Sequence, residues 1–300
     1  MNILIVGGGS FVGRHLSAMI DKNENNVFIG TTSSVNHEHD SGSNLFNIHL
    51  NLLDKSTVYD SLDLIQPEII VHLASIRNET ATYSGEIFDV NVSGLQTLFQ
   101  ACNGLKIQPH VVFASAMGIY DYTNPLYVPV DEHHPAKPHD LYGLTKLLGE
   151  TICEFHSGNR IRSTVLRIPG IYGPHKNQGL IYSLLKRSNK TKSITIPSAH
   201  TVRDFIHIDD VVRSIIATFT YDSSSLFNIF NIGSGTGISL KQIVNYADDI
   251  TTNTIDISYD NLQSPSEFFM DISKARKMLG YKPTTIAEGM TLFWNYLNEK

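Results

Sequence analysis

A chain of 300 residues, 41% of them hydrophobic, has enough apolar side chain for one large domain or two modest ones, and its composition excludes a disordered polymer. Its net charge of −6 comes from mixed signs with no basic run, which argues against nucleic acid and against a membrane surface as partners. Cys102 and Cys153, both in helical patterns, are expected as reduced buried thiols of a cytoplasmic protein, and residues 1–6 lack the basic leader of a targeting segment.

In chain order, residues 2–6 form a short apolar run that ends in Gly7-Gly8-Gly9-Ser10-Phe11-Val12-Gly13, and a helical pattern occupies 13–20. A strand entering a glycine-rich turn and then a helix is the context that a phosphate-cradling turn needs. Gly7 makes the tight corner, Gly13 lets the helix pack close to the strand, and the helix N-terminus faces a pyrophosphate. Gly7, Gly9, Ser10, Phe11, Val12 and Gly13 are therefore candidate dinucleotide contacts. The second run, 26–30, leads into Thr31, Thr32 and Ser33, where a NAD site usually places a carboxylate against the ribose 2′-hydroxyl. No acid stands there. The hydroxyls favour a 2′-phosphate and so NADP(H), with NAD(H) as the alternative because no arginine is at hand for a bidentate pair. Asn51 and Leu52, after a third apolar run, are expected near the adenine.

Further apolar runs at 69–73, 110–115 and 163–168 alternate with helical patterns at 90–102 and 141–155. Strands apolar on both faces and separated by helices imply an α/β doubly wound parallel sheet. After Ile168 glycine and proline interrupt the pattern, so a smaller lobe is expected from Pro169, with 204–216 and 228–233 returning to the main sheet. The expected division is 1–168 with 204–233 for the dinucleotide, and 169–203 with 234–300 as a discontinuous substrate lobe.

Tyr142 and Lys146 stand four residues apart on one helical face. A phenol beside an ammonium loses its proton more readily than a free one, so the pair can exchange a proton near neutrality. Tyr182 and Lys186 repeat the spacing, but in the small lobe they read as packing. The thirteen histidines show no metal-ligand spacing, and no metal is expected.

These elements, with Val71-His72-Leu73-Ala74-Ser75, Asn91-Val92-Ser93-Gly94, Val130-Asp131-Glu132, the stretch from Tyr142 to Glu150, Leu166-Arg167-Ile168-Pro169-Gly170-Ile171-Tyr172-Gly173-Pro174 and Arg203-Asp204-Phe205-Ile206-His207-Ile208-Asp209-Asp210, occur in the order of a known family. Over its whole length the chain resembles the extended short-chain dehydrogenase/reductases, the sugar-nucleotide epimerases, dehydratases and 4-ketoreductases. The resemblance implies a Rossmann sheet, catalysis by Tyr142 and Lys146, and a nucleotide-sugar substrate whose diphosphate Arg203 grips. It also implies that Leu73, Ala74, Ser75, Asn91, Ile168 and Pro169 adjoin the cofactor, and that Ile76, Met117, Gly170 and Gly179 adjoin the substrate. A homodimer formed by the helices at 90–102 and 141–155 is implied as well.

Three departures from the family pattern matter. Ser10 replaces the middle glycine of the turn. A second diphosphate-binding arginine, expected shortly before Met270, is missing from 260–269. Ala116 stands where the family has its carbonyl-polarising Ser or Thr. Ser115 is adjacent, but neighbours on a strand face opposite sides, so it substitutes only at a bulge. The acid and base of a 4,6-dehydratase are absent from 116–118. With no acid after the second strand, the expectation is NADPH-dependent reduction of a nucleotide-linked 4-keto-6-deoxysugar. NAD-dependent 4-epimerisation is the alternative, and a catalytically impaired dinucleotide sensor is the third reading.

Overall fold

The computed structural model describes residues 1–32, 44–83, 85–158, 161–187, 193–252, 256–259 and 265–299. In chain order the strands and helices are β1 (Asn2–Val6), α1 (Phe11–Met19), β2 (Asn26–Thr31), β3 (Leu45–His49), α2 (Lys55–Ile65), β4 (Ile69–His72), α3 (Glu86–Phe88), α4 (Gly94–Cys102), β5 (His110–Ala116), α5 (Leu141–Ser157), β6 (Arg162–Ile168), β7 (Gly170–Tyr172), α6 (Leu180–Arg187), β8 (Ile194–Ile196), β9 (Val202–Arg203), β10 (Phe205–His207), α7 (Ile208–Phe219), β11 (Phe227–Asn231), β12 (Ile238–Ser239), α8 (Leu240–Thr251), β13 (Ile257–Tyr259), α9 (Ser273–Leu279) and α10 (Ile286–Asn298). The chain forms two compact units, the first made of Met1–Tyr120, Ala136–Arg167 and Ser214–Phe230, the second of Asp121–Pro135, Ile168–Arg213 and Asn231–Lys300.

The first unit is a doubly wound sheet of seven strands in the order β11-β6-β5-β4-β1-β2-β3. Strands β3, β2, β1, β4 and β5 pair in parallel, with Ile5 opposite Ile29 on one side and Val71 on the other. Leu4, Val6 and Ile70 pack on one face against Val58 and Leu62 of α2 and Leu95, Leu98 and Phe99 of α4. Ile3 and Ile5 are equally buried and, by strand alternation, turn to the opposite face. Burial on both faces explains why these strands read as continuous apolar runs. The strand order reverses between β1 and β4, and it is at such a switch point that an open sheet leaves a crevice at its carboxyl edge.

In the second unit α6, α8 and α10 enclose a separate core of Leu184, Ile194, Ile243, Val244, Met290 and Phe293. Capping boxes open α8 (Ser239 with Gln242) and α10 (Thr285 with Glu288). Buried Asp204 accepts hydrogen bonds from Ser234 N (2.8 Å), Ser234 Oγ (2.6 Å) and Met270 N (3.1 Å), and burial still pushes its carboxyl up to about 6.

Two boundaries differ from the sequence expectation. Residues 121–135 belong to the second unit because Val130 N donates to the Phe269 carbonyl and Asp271 N to that of Val130, both at 2.8 Å. The first half of α7 also belongs there, its Asp210 accepting from Thr284 N (2.9 Å), so the segment returning to the sheet begins at Ser214 rather than at 204. The helix expected over 90–102 starts instead with a π-helical turn, Asp89–Ser93, before regular α4. A Cβ on Gly94 would lie 2.7 Å from Leu52 Cβ, so α4 packs closely against the chain after β3.

His72 is wholly buried with neither ring nitrogen partnered among the described residues, and burial lowers its pKa from 6.5 to about 3. Burial likewise lowers His110 to about 4. Between those values and 6.5 the unfolded chain binds protons that the folded chain refuses, so stability is full above 6.5 and falls as pH drops through this window. The unfolding free energy from urea titration is therefore expected to be lower at about pH 5 than at pH 7, by roughly 2 kcal/mol for each histidine, and the urea midpoint to fall with it. A His72→Leu variant should show a smaller loss; a midpoint independent of pH over that range contradicts the assignment.

Candidate active site

The crevice begins at the corner after β1. Gly7 has φ +81°, and a Cβ there would sit 2.6 Å from Ala74 N, so only glycine lets the turn lie against the chain leaving β4. A Cβ on Gly13 would lie 2.4 Å from the Gly8 carbonyl oxygen, which is how closely α1 approaches the turn. Ser10, at the departure from the family pattern, caps α1 by accepting from Gly13 N at 3.1 Å. Phe11 and Val12 form the first turn of α1 and do not line the crevice.

The crevice is a cavity of about 580 Å³. Gly7, Gly9 and Ser10 line its turn end, Thr31 and Thr32 the end of β2, Asn51 and Leu52 one side, and Leu73, Ala74, Ser75 and Ile76 the other. The Asn51 side-chain oxygen accepts from Leu53 N (3.0 Å), so it shapes its own turn. Ser33 lies outside the described residues. Among the described residues lining the cavity, Glu86 carries the one formal charge. A dinucleotide fits this donor set: a glycine corner that a Cβ would close, a helix N-terminus beside it, and an apolar floor.

Ser75 links the cavity to Tyr142. Helix α5 starts at Asp140, whose carboxylate caps Gly143 N at 2.6 Å. Gly143 is pressed onto the turn after β5, where a Cβ would meet the Gly118 oxygen at 2.2 Å, and Gly149 is pressed onto the Phe113 ring. These two contacts seat the helix on β5 and hold Tyr142 near the strand ends. Lys146, one turn on, is buried and donates to the Ala114 carbonyl (2.8 Å), with its Nζ 5.6 Å from the Tyr142 ring centroid. Arg77 covers the same ring from the β4 side at 5.0 Å. Burial pushes the Tyr142 phenol up, but the charges of Lys146 and Arg77 and hydrogen bonding toward Ser75 and Arg77 outweigh it, and the net pKa lies below the ordinary tyrosine value. Burial pushes the Lys146 ammonium down, Tyr142 pulls it up, and Arg77 adds to the lowering.

Asn91, in the π-helical turn, accepts from Ile76 N (2.9 Å) and donates to the Ile76 carbonyl (3.0 Å) and the Thr145 hydroxyl (3.0 Å). It therefore ties the segment carrying Ser75 and Arg77 to the helix carrying Tyr142. Such π-turns recur at functional sites. Under the helix Glu150 and Arg167 form a buried ion pair (2.7 Å), with Arg167 also donating to the Tyr120 hydroxyl (2.7 Å).

Ser115 is corrected by this network. Its hydroxyl donates to Glu150 at 2.5 Å, and β5 stays extended through Ala116 (φ −143°, ψ 155°) without a bulge, so Ser115 faces away from Tyr142. Ala116 presents only a methyl, and Met117 opens the short 3₁₀ turn that follows. In the second unit Ile168 ends β6, Pro169 and Gly170 lead into and begin β7, and Gly179 (φ +101°) precedes α6. Arg203 donates to the carbonyls of Val202 (2.8 Å) and Ser266 (3.1 Å) and to the Ser266 hydroxyl (2.8 Å), while Asp210 pairs with Arg213. Tyr182 packs on Phe293, with ring centroids 6.3 Å apart. Arg77 was missed by the sequence reading, because nothing in its spacing links it to a tyrosine 65 positions later.

The model of the NAD dependent epimerase/dehydratase family matches residues 3–233. The chain belongs to this family. Among similar proteins, the UDP-glucose 4-epimerase of Corynebacterium glutamicum is 26% identical over 326 residues, covering 100% of this chain and 98% of that one. The fold is shared with the UDP-glucose 4-epimerase of Thermotoga maritima solved with UDP-glucose (TM-score 0.86, 24% identity, 100% and 99% of the two chains covered). It is shared equally with the Bacillus cereus UDP-glucuronic acid 4-epimerase solved with UDP-glucuronic acid and NAD (TM-score 0.85, 24% identity, 100% and 99% covered).

Within this epimerase/dehydratase site Arg77 is a second cation on the phenol. Arg77→Met should move the rising limb of the kcat/KM against pH profile upward, since the phenol loses a charge that favours its anion. A limb that stays in place shows that Arg77 does not act on Tyr142.

Proposed function

We propose that the protein is an NAD-dependent 4-epimerase of a UDP-hexose or UDP-hexuronic acid. The observation that carries the reading is the Tyr142 phenol held below its ordinary pKa beside the dinucleotide cavity. Relatives named as UDP-glucose and UDP-glucuronate 4-epimerases support the substrate class.

The reduction expected from the sequence gives way to this reading for a physical reason. That expectation rested on the missing acid after β2, but a 2′-phosphate needs cations, and among the described residues the cavity offers the Glu86 carboxylate and no Lys or Arg. NAD, without that phosphate, suits the lining better. The sensor reading loses its support in the Tyr142, Lys146 and Arg77 cluster, which a protein that only binds has no need to build.

NAD held in this cavity would supply reversible hydride acceptance at the sugar's C4. Tyr142 takes the proton from the C4 hydroxyl as the hydride leaves and gives it back after the sugar has turned over. Lys146 favours the ionised form of the phenol and would hold the nicotinamide ribose. The glycine corner and the N-terminus of α1 receive the pyrophosphate, and Arg203 is assigned to the UDP diphosphate.

A homodimer formed through α4 and α5 suits two exposed apolar residues on α5, Leu144 and Phe155, which are three turns apart on one face. Burial raises the Cys102 thiol to about 12, and Cys153 also stays protonated, which fits a reducing cytoplasm. Among the described residues no helix is long and apolar enough to cross a membrane.

Purified protein incubated with UDP-glucose or UDP-glucuronate should yield the C4 epimer with no net consumption of NAD. Tyr142→Phe should lower that rate by about 10² to 10⁴-fold while leaving NAD binding intact. Oxidation of NADPH by a 4-keto-6-deoxysugar nucleotide, with no epimer formed from any UDP-sugar, would reverse the assignment in favour of a reductase.

A further inference from the structure

Position 116 carries only a methyl, while the segment leaving the neighbouring strand β4 brings a hydroxyl, Ser75, into the cavity lining. Strands β4 and β5 are neighbours in parallel register, and their last paired rung is His72 with Phe113. Three residues beyond that rung stand Ser75 on one chain segment and Ala116 on the other. β5 continues to Ala116, whereas β4 ends at His72, so Ser75 lies on the segment that leaves β4.

The surroundings of Ser75 fit a working group. It lines the cavity, whereas Ser115 is turned under the sheet onto Glu150. Its neighbour Ile76 has both backbone polar groups held by Asn91, which also holds Thr145 one turn from Tyr142. Two residues on, Arg77 is anchored by Thr80, which accepts from Arg77 N (3.1 Å) and donates to the Arg77 carbonyl (3.0 Å), with the guanidinium over the Tyr142 ring. Ser75 therefore directly precedes two clamped residues, and hydrogen bonding toward it helps to lower the pKa of the Tyr142 phenol.

We propose that Ser75 is the catalytic hydroxyl of this site, donating a hydrogen bond to the reacting C4 oxygen beside Tyr142 in place of the group that position 116 lacks. The assignment rests on the 4-epimerase reading. In this assignment the hydroxyl comes from the segment after β4 rather than from the end of β5. Ser75 makes and breaks no bond; it stabilises the developing carbonyl, while Tyr142 carries the proton and the cofactor carries the hydride.

The test compares the wild type with Ser75→Ala, Ser75→Thr and the double variant Ser75→Ala/Ala116→Ser, all loaded with NAD and assayed on UDP-glucose and UDP-glucuronate. Ser75→Ala should lose about 10² to 10³-fold in kcat with NAD retained. Ser75→Thr should keep most of the rate, and the double variant should recover much of what Ser75→Ala loses. A Ser75→Ala protein within about threefold of wild type overturns the proposal, since a removed transition-state donor costs far more. A second readout does not depend on turnover: the 295 nm titration of Tyr142, taken as the difference between each protein and its Tyr142→Phe counterpart. Ser75→Ala should shift that titration to higher pH, and an unchanged midpoint overturns the placement of the hydroxyl. Inactivity of every protein, with the shift present, removes the epimerase reading and supports that placement.

Discussion

A half-buried phenol with two cations over its ring is the arrangement on which the rest of the site depends. Burial alone would make Tyr142 a worse acid, and its partner Lys146 is itself weakened by burial. Arg77 adds a second charge over the same ring, 5.0 Å from its centroid. In a medium less polarisable than water such charges act strongly, so small displacements of either cation change the proton affinity of the phenol. The scaffold must hold both.

It does so with uncharged and charged devices. Gly143 and Gly149 let α5 lie directly on the Gly118 turn and the Phe113 ring, where any side chain would push the helix away. Underneath, the Glu150–Arg167 pair fastens the same helix to β6 and absorbs the Ser115 hydroxyl. Removing one member of such a pair strands a buried charge, typically at a cost of about 3 to 5 kcal/mol. On the β4 side Asn91 does the corresponding work, bracketing one peptide and reaching across to Thr145. The phenol, both cations and Ser75 are thus positioned by groups that themselves have fixed partners.

The sheet, the limits of all its strands but β3 to within two residues, and the glycine corner were legible in the sequence because each is set locally, by apolar runs, turn chemistry and the spacing of Gly7 and Gly13. Tyr142 and Lys146 were legible for the same reason, since helical periodicity places them on one face. The orientation of Ser115 also followed from alternation. Arg77 was not legible, because its meaning comes from a contact between the β4 loop and α5. The unit boundary at 121–135 was hidden likewise, since Val130 reveals its allegiance only through its hydrogen bonds with Phe269 and Asp271. The preference for NADP(H) rested on a single missing carboxylate, and the lack of a cation among the described residues that line the cavity could be seen only once the chain was folded.

The central claim is that Tyr142 ionises more readily than an ordinary tyrosine, and tyrosine labelled with carbon-13 at Cζ reports it directly. The Tyr142 resonance, assigned by its loss in Tyr142→Phe, is expected to titrate clearly below the ordinary value of about 10. A Tyr142 signal that remains in its protonated position up to pH 10 or beyond contradicts the account.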